Sequence, residues 1–145
     1  MERKIELLAD ELRRLVGWGA DPDRLALKPV LRELAEVPPS LSRTTAGCIV
    51  RRYLEESIHE LEGSYRFQGK EYDAHTLNRV YRLLLGFEGS NLSAERRRYR
   101  VMEILGLDYS YDQWRKSYHL ERALLLILAE AMVRRANAQT TDQTA

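Results

Sequence analysis

Apolar residues recur every three or four positions along most of this chain, and no segment alternates apolar and polar residues as a half-buried strand must. In "ERKIELLADELRRLV", Ile5, Leu8, Leu12 and Leu15 share one helical face, and Gly17 marks the stop. Asp21 followed by Pro22 predicts a helix start, with an oxygen to cap free N–H groups and a proline that needs no acceptor for a proton it lacks. An interrupted helical stretch runs to Val37, broken near Pro29, and "VPPSLS" is a rigid connection. Thr44 or Thr45 opens a third segment that reaches about Leu61, burying Ile49, Tyr53, Leu54, Ile58 and Leu61. "GSYRFQGKEY" reads as a loop with room for a small hairpin, leaving Tyr65 and Phe67 exposed. Asp73 caps a fourth helix striped by Leu77, Val80, Tyr81, Leu84 and Leu85, and a fifth covers Ala94 to Leu105.

Ser110, with Gln113 three residues on, forms a capping box at the start of a last helix expected to end near Asn137. From Ala123 to Val133 that helix reads "ALLLILAEAMV", apolar almost all round. Such a helix is either the central element of a bundle or one shared between subunits, and a bundle this size needs a central element. The pattern as a whole predicts an all-α fold. We expect one compact bundle of five to six helices over residues 1–138, a helix–turn–helix-like C-terminal pair, a long, mostly apolar last helix, and a disordered polar tail over residues 139–145.

Composition narrows the function classes. At 145 residues, 44% hydrophobic and 31% charged, the chain suits one globular domain with a real core. No run of about 18 apolar residues is present, and the charged, amphipathic N-terminus is unlike a secretory signal, so a cytoplasmic protein is expected. The lone Cys48 lies in an apolar helical run, where a small buried core residue is the expectation over a reactive thiol. Net charge is +1, from 23 basic and 22 acidic residues, without the basic excess from which a dedicated duplex binder draws non-specific affinity. Arginine outnumbers lysine heavily, a bias attributable to a GC-rich genome.

The segment "SAERRRYRVMEILGLDYSYDQWRK" carries the sharpest question. A DNA-reading helix–turn–helix braces its first helix on the backbone and lays the start of its second in the major groove. Val101, Met102, Leu105, Gly106 and Leu107 supply the first half of that pattern, and Trp114 would lock the second helix. Arg96, Arg97, Arg98 and Arg100 would then meet the backbone, and Gln113, Arg115, Lys116, Ser117 and His119 would meet bases or phosphates. Two features oppose this. Trp114 lies eight residues beyond Gly106, longer than a tight turn, and the window Ser93 to Arg122 holds seven basic against five acidic residues. Asp112 and Glu121 fall where phosphates would approach. An arginine run of this kind is also simply a solvated face.

"LNRVYRLLLGFEGSNLSAERRRYRVMEILGL", "SYDQWRK" and "ERALLLILAEAM" together resemble a class of small helical actinobacterial domains over about the last 60 residues, from Leu77. Arg96, Arg97, Gly106, Trp114, Arg115 and Glu121 match its recurrent positions, and the longer turn departs from it. The resemblance implies a helix–turn–helix relative that acts as an association module, alone or beside signalling and defence enzymes.

Enzymatic patterns are weak. His59, His75 and His119 lie far apart, and His59 with Glu55 and Glu62 on one helical face is more simply a surface histidine beside glutamates. No Walker loop, GxGxxG or GxSxG occurs, and "FEGSN" follows a helix where a phosphate cradle follows a strand. No enzyme, cofactor or metal is therefore expected. The sequence favours a non-enzymatic protein–protein interaction or adaptor module of a cytoplasmic signalling or defence system, with homodimerisation through the last helix as an option. Its partner would meet Tyr109, Tyr111, Trp114, Arg115 and Lys116, since tyrosine and tryptophan suit interfaces; Tyr65 and Phe67 are further interface residues, whereas core-edge packing is the default for Trp114, Tyr81 and Tyr99. The rival is a DNA-binding transcriptional regulator using Arg96, Arg97, Arg98, Arg100, Gln113, Arg115, Lys116 and His119.

Overall fold

The computed structural model describes residues 1–107, 110–116 and 118–144, with the side chains of residues 111, 115, 116, 118 and 141–144 outside the description. Among the described residues the chain forms α1 (Glu2–Val16), α2 (Pro22–Leu25), α3 (Pro29–Leu34), α4 (Arg43–His59), a hairpin of β1 (Ser64–Phe67) and β2 (Lys70–Asp73), α5 (Ala74–Leu84), α6 (Ala94–Leu105), α7 (Tyr111–Lys116) and α8 (Tyr118–Thr144). The protein is mostly helical. Pro29 opens α3 separately from α2, as the expected break near Pro29 requires, and Ser117 between α7 and α8 lies outside the described residues. Among the described residues no helix is long and apolar enough to cross a membrane.

Side-chain caps set several helix starts. Asp21 accepts from Asp23 N–H, Asp73 from Thr76 N–H at 2.7 Å, and Ser93 from Arg96 N–H at 3.2 Å. The Thr76 N–H holds the Asp73 carboxyl below its ordinary pKa. Helix α4 begins earlier than expected, because Ser42 rather than Thr44 provides the cap, accepting from Thr45 N–H. The hairpin pairs Tyr65 with Tyr72 and Phe67 with Lys70, and its two-residue turn places Gln68 at φ 52° and Gly69 at φ 77°. Two consecutive positive φ values match the twist that joins antiparallel strands most tightly.

Helix α8 lies along α1, α2 packs on α4, and α5 packs on α6. Leu8, Leu12 and Leu15 of α1, Leu54 and Ile58 of α4, Leu77 and Leu84 of α5, and Leu124, Leu125 and Leu128 of α8 are all fully buried in one core. Tyr81 is buried among them and donates its hydroxyl to the Leu124 carbonyl; burial pushes that phenol above its ordinary pKa. The apolar stretch of α8 is therefore largely occupied within the chain, with Ala123, Leu126, Ile127 and Ala131 only partly covered. The helix runs on through Thr144, beyond Asn137 and into the segment expected as a tail.

Two contacts place the small helices. The α3 start has no cap of its own; Glu11 on α1 accepts from Val30 N–H at 2.8 Å and Leu31 N–H at 3.0 Å. Burial raises the Glu11 carboxyl above its ordinary pKa, while the two N–H groups pull it back. Glu11→Ala strands one part-buried and one buried donor and should lower unfolding stability by about 2 kcal/mol in urea titration. Helix α2 meets α4 at Gly47, where a Cβ would stand 1.9 Å from the Pro22 carbonyl oxygen. Cys48, expected in the core, is exposed instead, one helical step round from the face that Gly47 presents to α2.

Candidate functional site

The described flanks of the α6–α7 connection, Gly106 and the Ser110–Gln113 pair, take the local forms their sequence predicts. Gly106 is left-handed, at φ 62°, and donates to the carbonyls of Met102 and Glu103, closing α6. Ser110 N–H donates to Gln113 Oε1 at 2.8 Å, and Gln113 N–H to Ser110 Oγ at 3.2 Å, which completes the capping box that starts α7. Residues 108 and 109, Tyr109 included, lie outside the described residues, as do Ser117 and the side chains of Tyr111, Arg115 and Lys116.

The expected contact residues divide into two groups. Trp114 is 2% exposed and sits in the core, where its ring area is unavailable to a partner. Arg97 is 4% exposed. Its Nη1 donates to the carbonyls of Leu83 and Leu84, at 3.3 and 3.0 Å, and its Nη2 to that of Val16 at 3.0 Å. The guanidinium thus closes the C-terminal ends of α1 and α5 at once, where carbonyls lack partners and the helix dipole favours a cation. Arg98 forms a bidentate pair with Glu121, at 2.7 and 3.3 Å, and Arg13 Nε stands 3.8 Å from the same carboxylate. Glu121 is itself 4% exposed, so the acid expected to face phosphates ties α8 to α6 and α1 instead. Arg96, Arg100, Gln113 and His119 are on the surface.

The hairpin braces this turn from outside. Lys70 Nζ donates to the Gly106 carbonyl at 2.8 Å and the Tyr72 hydroxyl to the Leu105 carbonyl at 2.6 Å, satisfying the last carbonyls of α6. Burial raises the Tyr72 phenol above its ordinary pKa. Phe67, expected on the surface, is buried beside them at 4% exposure, because its strand turns that face towards the core. Tyr99, expected at the core edge, is exposed on α6.

A second feature joins segments that the sequence keeps apart. The end of α4, strand β1 and the C-terminal half of α8 enclose an open groove of about 780 Å³. Leu61, Tyr65, Ile127, Ala131 and Met132 give it an apolar lining. Glu60 pairs with Arg135 at 2.9 Å and Glu130 with Arg134 at 2.7 Å along it. Arg135 Nη1 is buried without an acceptor among the described residues. In the sequence Tyr65 is marked by a tyrosine in a loop, and Ile127, Ala131 and Met132 by the apolar stretch of the last helix; that they meet needs the fold.

Among the described residues no three His, Cys, Asp or Glu side chains come together as a metal site would require. On the face that carries His59, Glu55 stands 3.8 Å from Arg82. Comparison with family models, with characterised proteins and with solved structures finds no match to this chain.

Proposed function

We propose that the protein is a non-enzymatic helical module that binds another protein, in a signalling or defence setting, through the groove between β1 and α8. The observation that carries this reading is the groove itself: an apolar lining of Leu61, Tyr65, Ile127 and Met132 bordered by ion-paired charges of both signs. Such a surface takes an apolar side chain in its middle and ranks partners by the charges around it. Its size suits a short peptide segment with one or two apolar anchors flanked by an acid and a base. The unpartnered Nη1 of Arg135 would take a backbone carbonyl or carboxylate of that segment. Tyr109, Tyr111, Arg115 and Lys116 remain a second contact surface in this reading.

A random peptide library panned against the folded protein tests it. Enriched peptides should carry an apolar residue with charged neighbours, and Ile127→Glu should weaken their binding at least about tenfold, or about 1.4 kcal/mol. Peptides that bind the variant as well as the wild type would place the interface elsewhere. Self-association through the partly covered side of α8 would register in sedimentation as a mass that depends on concentration.

The alternative, a DNA-binding helix–turn–helix, draws on exposed Arg96 and Arg100 beside a left-handed Gly106 and a formed capping box. Its weakness is that Arg97 and Arg98 already hold internal partners.

A further inference from the structure

Arg97 has a second aspect, apart from closing two helices. It lines a separate pocket of about 320 Å³ between the α1–α2 connection, α4 and the loop after α5, and this pocket shares no residue with the α8 groove. The Arg97 Nε–H is buried and has no acceptor, and no carboxylate pairs with this guanidinium. Arg51 of α4 lines the same pocket. Its Nε donates to the Ala20 carbonyl at 3.1 Å, its guanidinium lies over the Phe87 ring, and both Nη groups are without an acceptor among the described residues. Ala20 and Ser90 also line the pocket, and neither the Ala20 N–H nor the Ser90 hydroxyl has a partner among the described residues.

The acid that lines the pocket, Asp21, caps α2 through Asp23 N–H and stands 3.9 Å from Arg24. At the mouth, Trp18 is 68% exposed, with the Arg24 guanidinium 3.9 Å from its ring centroid. The walls are held close by glycine: a Cβ on Gly86 would stand 2.7 Å from the Gly19 Cα and 3.2 Å from Arg97 Nη1. Two guanidiniums without an acid partner, backed by a free amide and a hydroxyl, form a set complementary to an oxyanion.

We propose that this pocket binds a small ligand through an oxyanion group, a phosphate or a carboxylate, with Arg51 as the main contact, Arg97 as the inner wall and Trp18 as the shelf for the rest of the ligand. The volume suits the charged end of a small molecule or side chain, not a folded element.

The test follows the arginine Nε–H resonances of the full chain while inorganic phosphate or acetate replaces chloride at constant ionic strength. We expect saturable shifts at Arg51 and Arg97, with half-saturation near about 1 mM. Arg51→Gln should weaken binding at least about tenfold, and Ser90→Glu, at an exposed site that leaves the fold untouched, should abolish it. Saturation by phosphate alone identifies a phosphate-bearing ligand, saturation by acetate alone a carboxylate-bearing one, and saturation by both a general oxyanion site in which the carboxylate suffices. The proposal is overturned if neither anion saturates, or if folded Arg51→Gln and Ser90→Glu bind like the wild type.

Discussion

Gly47→Ala is expected to destabilise the protein by about 3 kcal/mol, and Gly47→Val to prevent folding. The new methyl would stand 1.9 Å from the Pro22 carbonyl oxygen, 2.5 Å from its carbon and 2.9 Å from its Cα. All three are backbone atoms, so no side chain can swing away; α2 itself must leave α4. Helix propensity points the other way, since alanine inside a helix is favoured over glycine by about 1 kcal/mol. The sign of the measured change therefore decides between local preference and the close approach of α2. Gly17→Ala is the control. Nothing lies within 4 Å of the position a Cβ would take there, and Gly17 has a right-handed φ of −67°, so that substitution should be neutral or slightly stabilising in the same urea titration.

Arg97→Met should cost about 3 kcal/mol of unfolding stability, and Arg96→Ala, one residue away on the surface, almost none. Hydrogen bonds from a charged donor contribute roughly 1.5–3 kcal/mol each, and Arg97 makes three. Part of that is offset, because burying a guanidinium without a carboxylate is itself unfavourable and methionine removes the penalty. The Leu83 carbonyl also keeps the Gly86 N–H, at 3.2 Å, so the main loss falls on the carbonyls of Val16 and Leu84. Arg97→Lys should recover less than half of the loss, since one ammonium cannot reach carbonyls at the ends of two helices as a planar fork does. Equal effects at Arg96 and Arg97 would mean that the guanidinium is not the closure of α1 and α5.

The contrast between these neighbouring arginines shows where sequence reasoning reaches and where it stops. Local chemistry was readable: Asp21, Asp73 and the Ser110–Gln113 box all act as caps within three residues of their partners, and Gly106 takes the left-handed turn. Periodicity likewise marked the core faces of α1, α5 and α8. Long-range bonds were not readable. "RRRYR" presents four arginines of one kind, and only the fold separates Arg97, bonded to a carbonyl 81 residues away, from exposed Arg96 and Arg100. Glu11 shows the same limit, as a carboxylate on α1 capping α3 across 20 residues. Cys48 and Phe67 went astray for a different reason. The apolar run around Cys48 suggested burial and the loop reading around Phe67 suggested exposure, while the phase of α4 and the inward face of β1 imposed the opposite in each case. The groove and the oxyanion pocket are assembled from separate segments, and composition alone gives no sign of either.

Trp114 lies in the core, Arg97 and Arg98 are engaged internally, and Lys70 of the hairpin bonds the Gly106 carbonyl, which is why the proposed reading sets protein binding above DNA reading for the α6–α7 segment. The most direct test is binding to mixed-sequence duplex DNA across a salt series, comparing the wild type with Arg96→Ala/Arg100→Ala/Arg115→Ala. The account predicts no saturable binding by the folded protein even at low salt. Micromolar binding with a steep salt slope, lost in the triple variant, would contradict it and make the protein a reader of DNA.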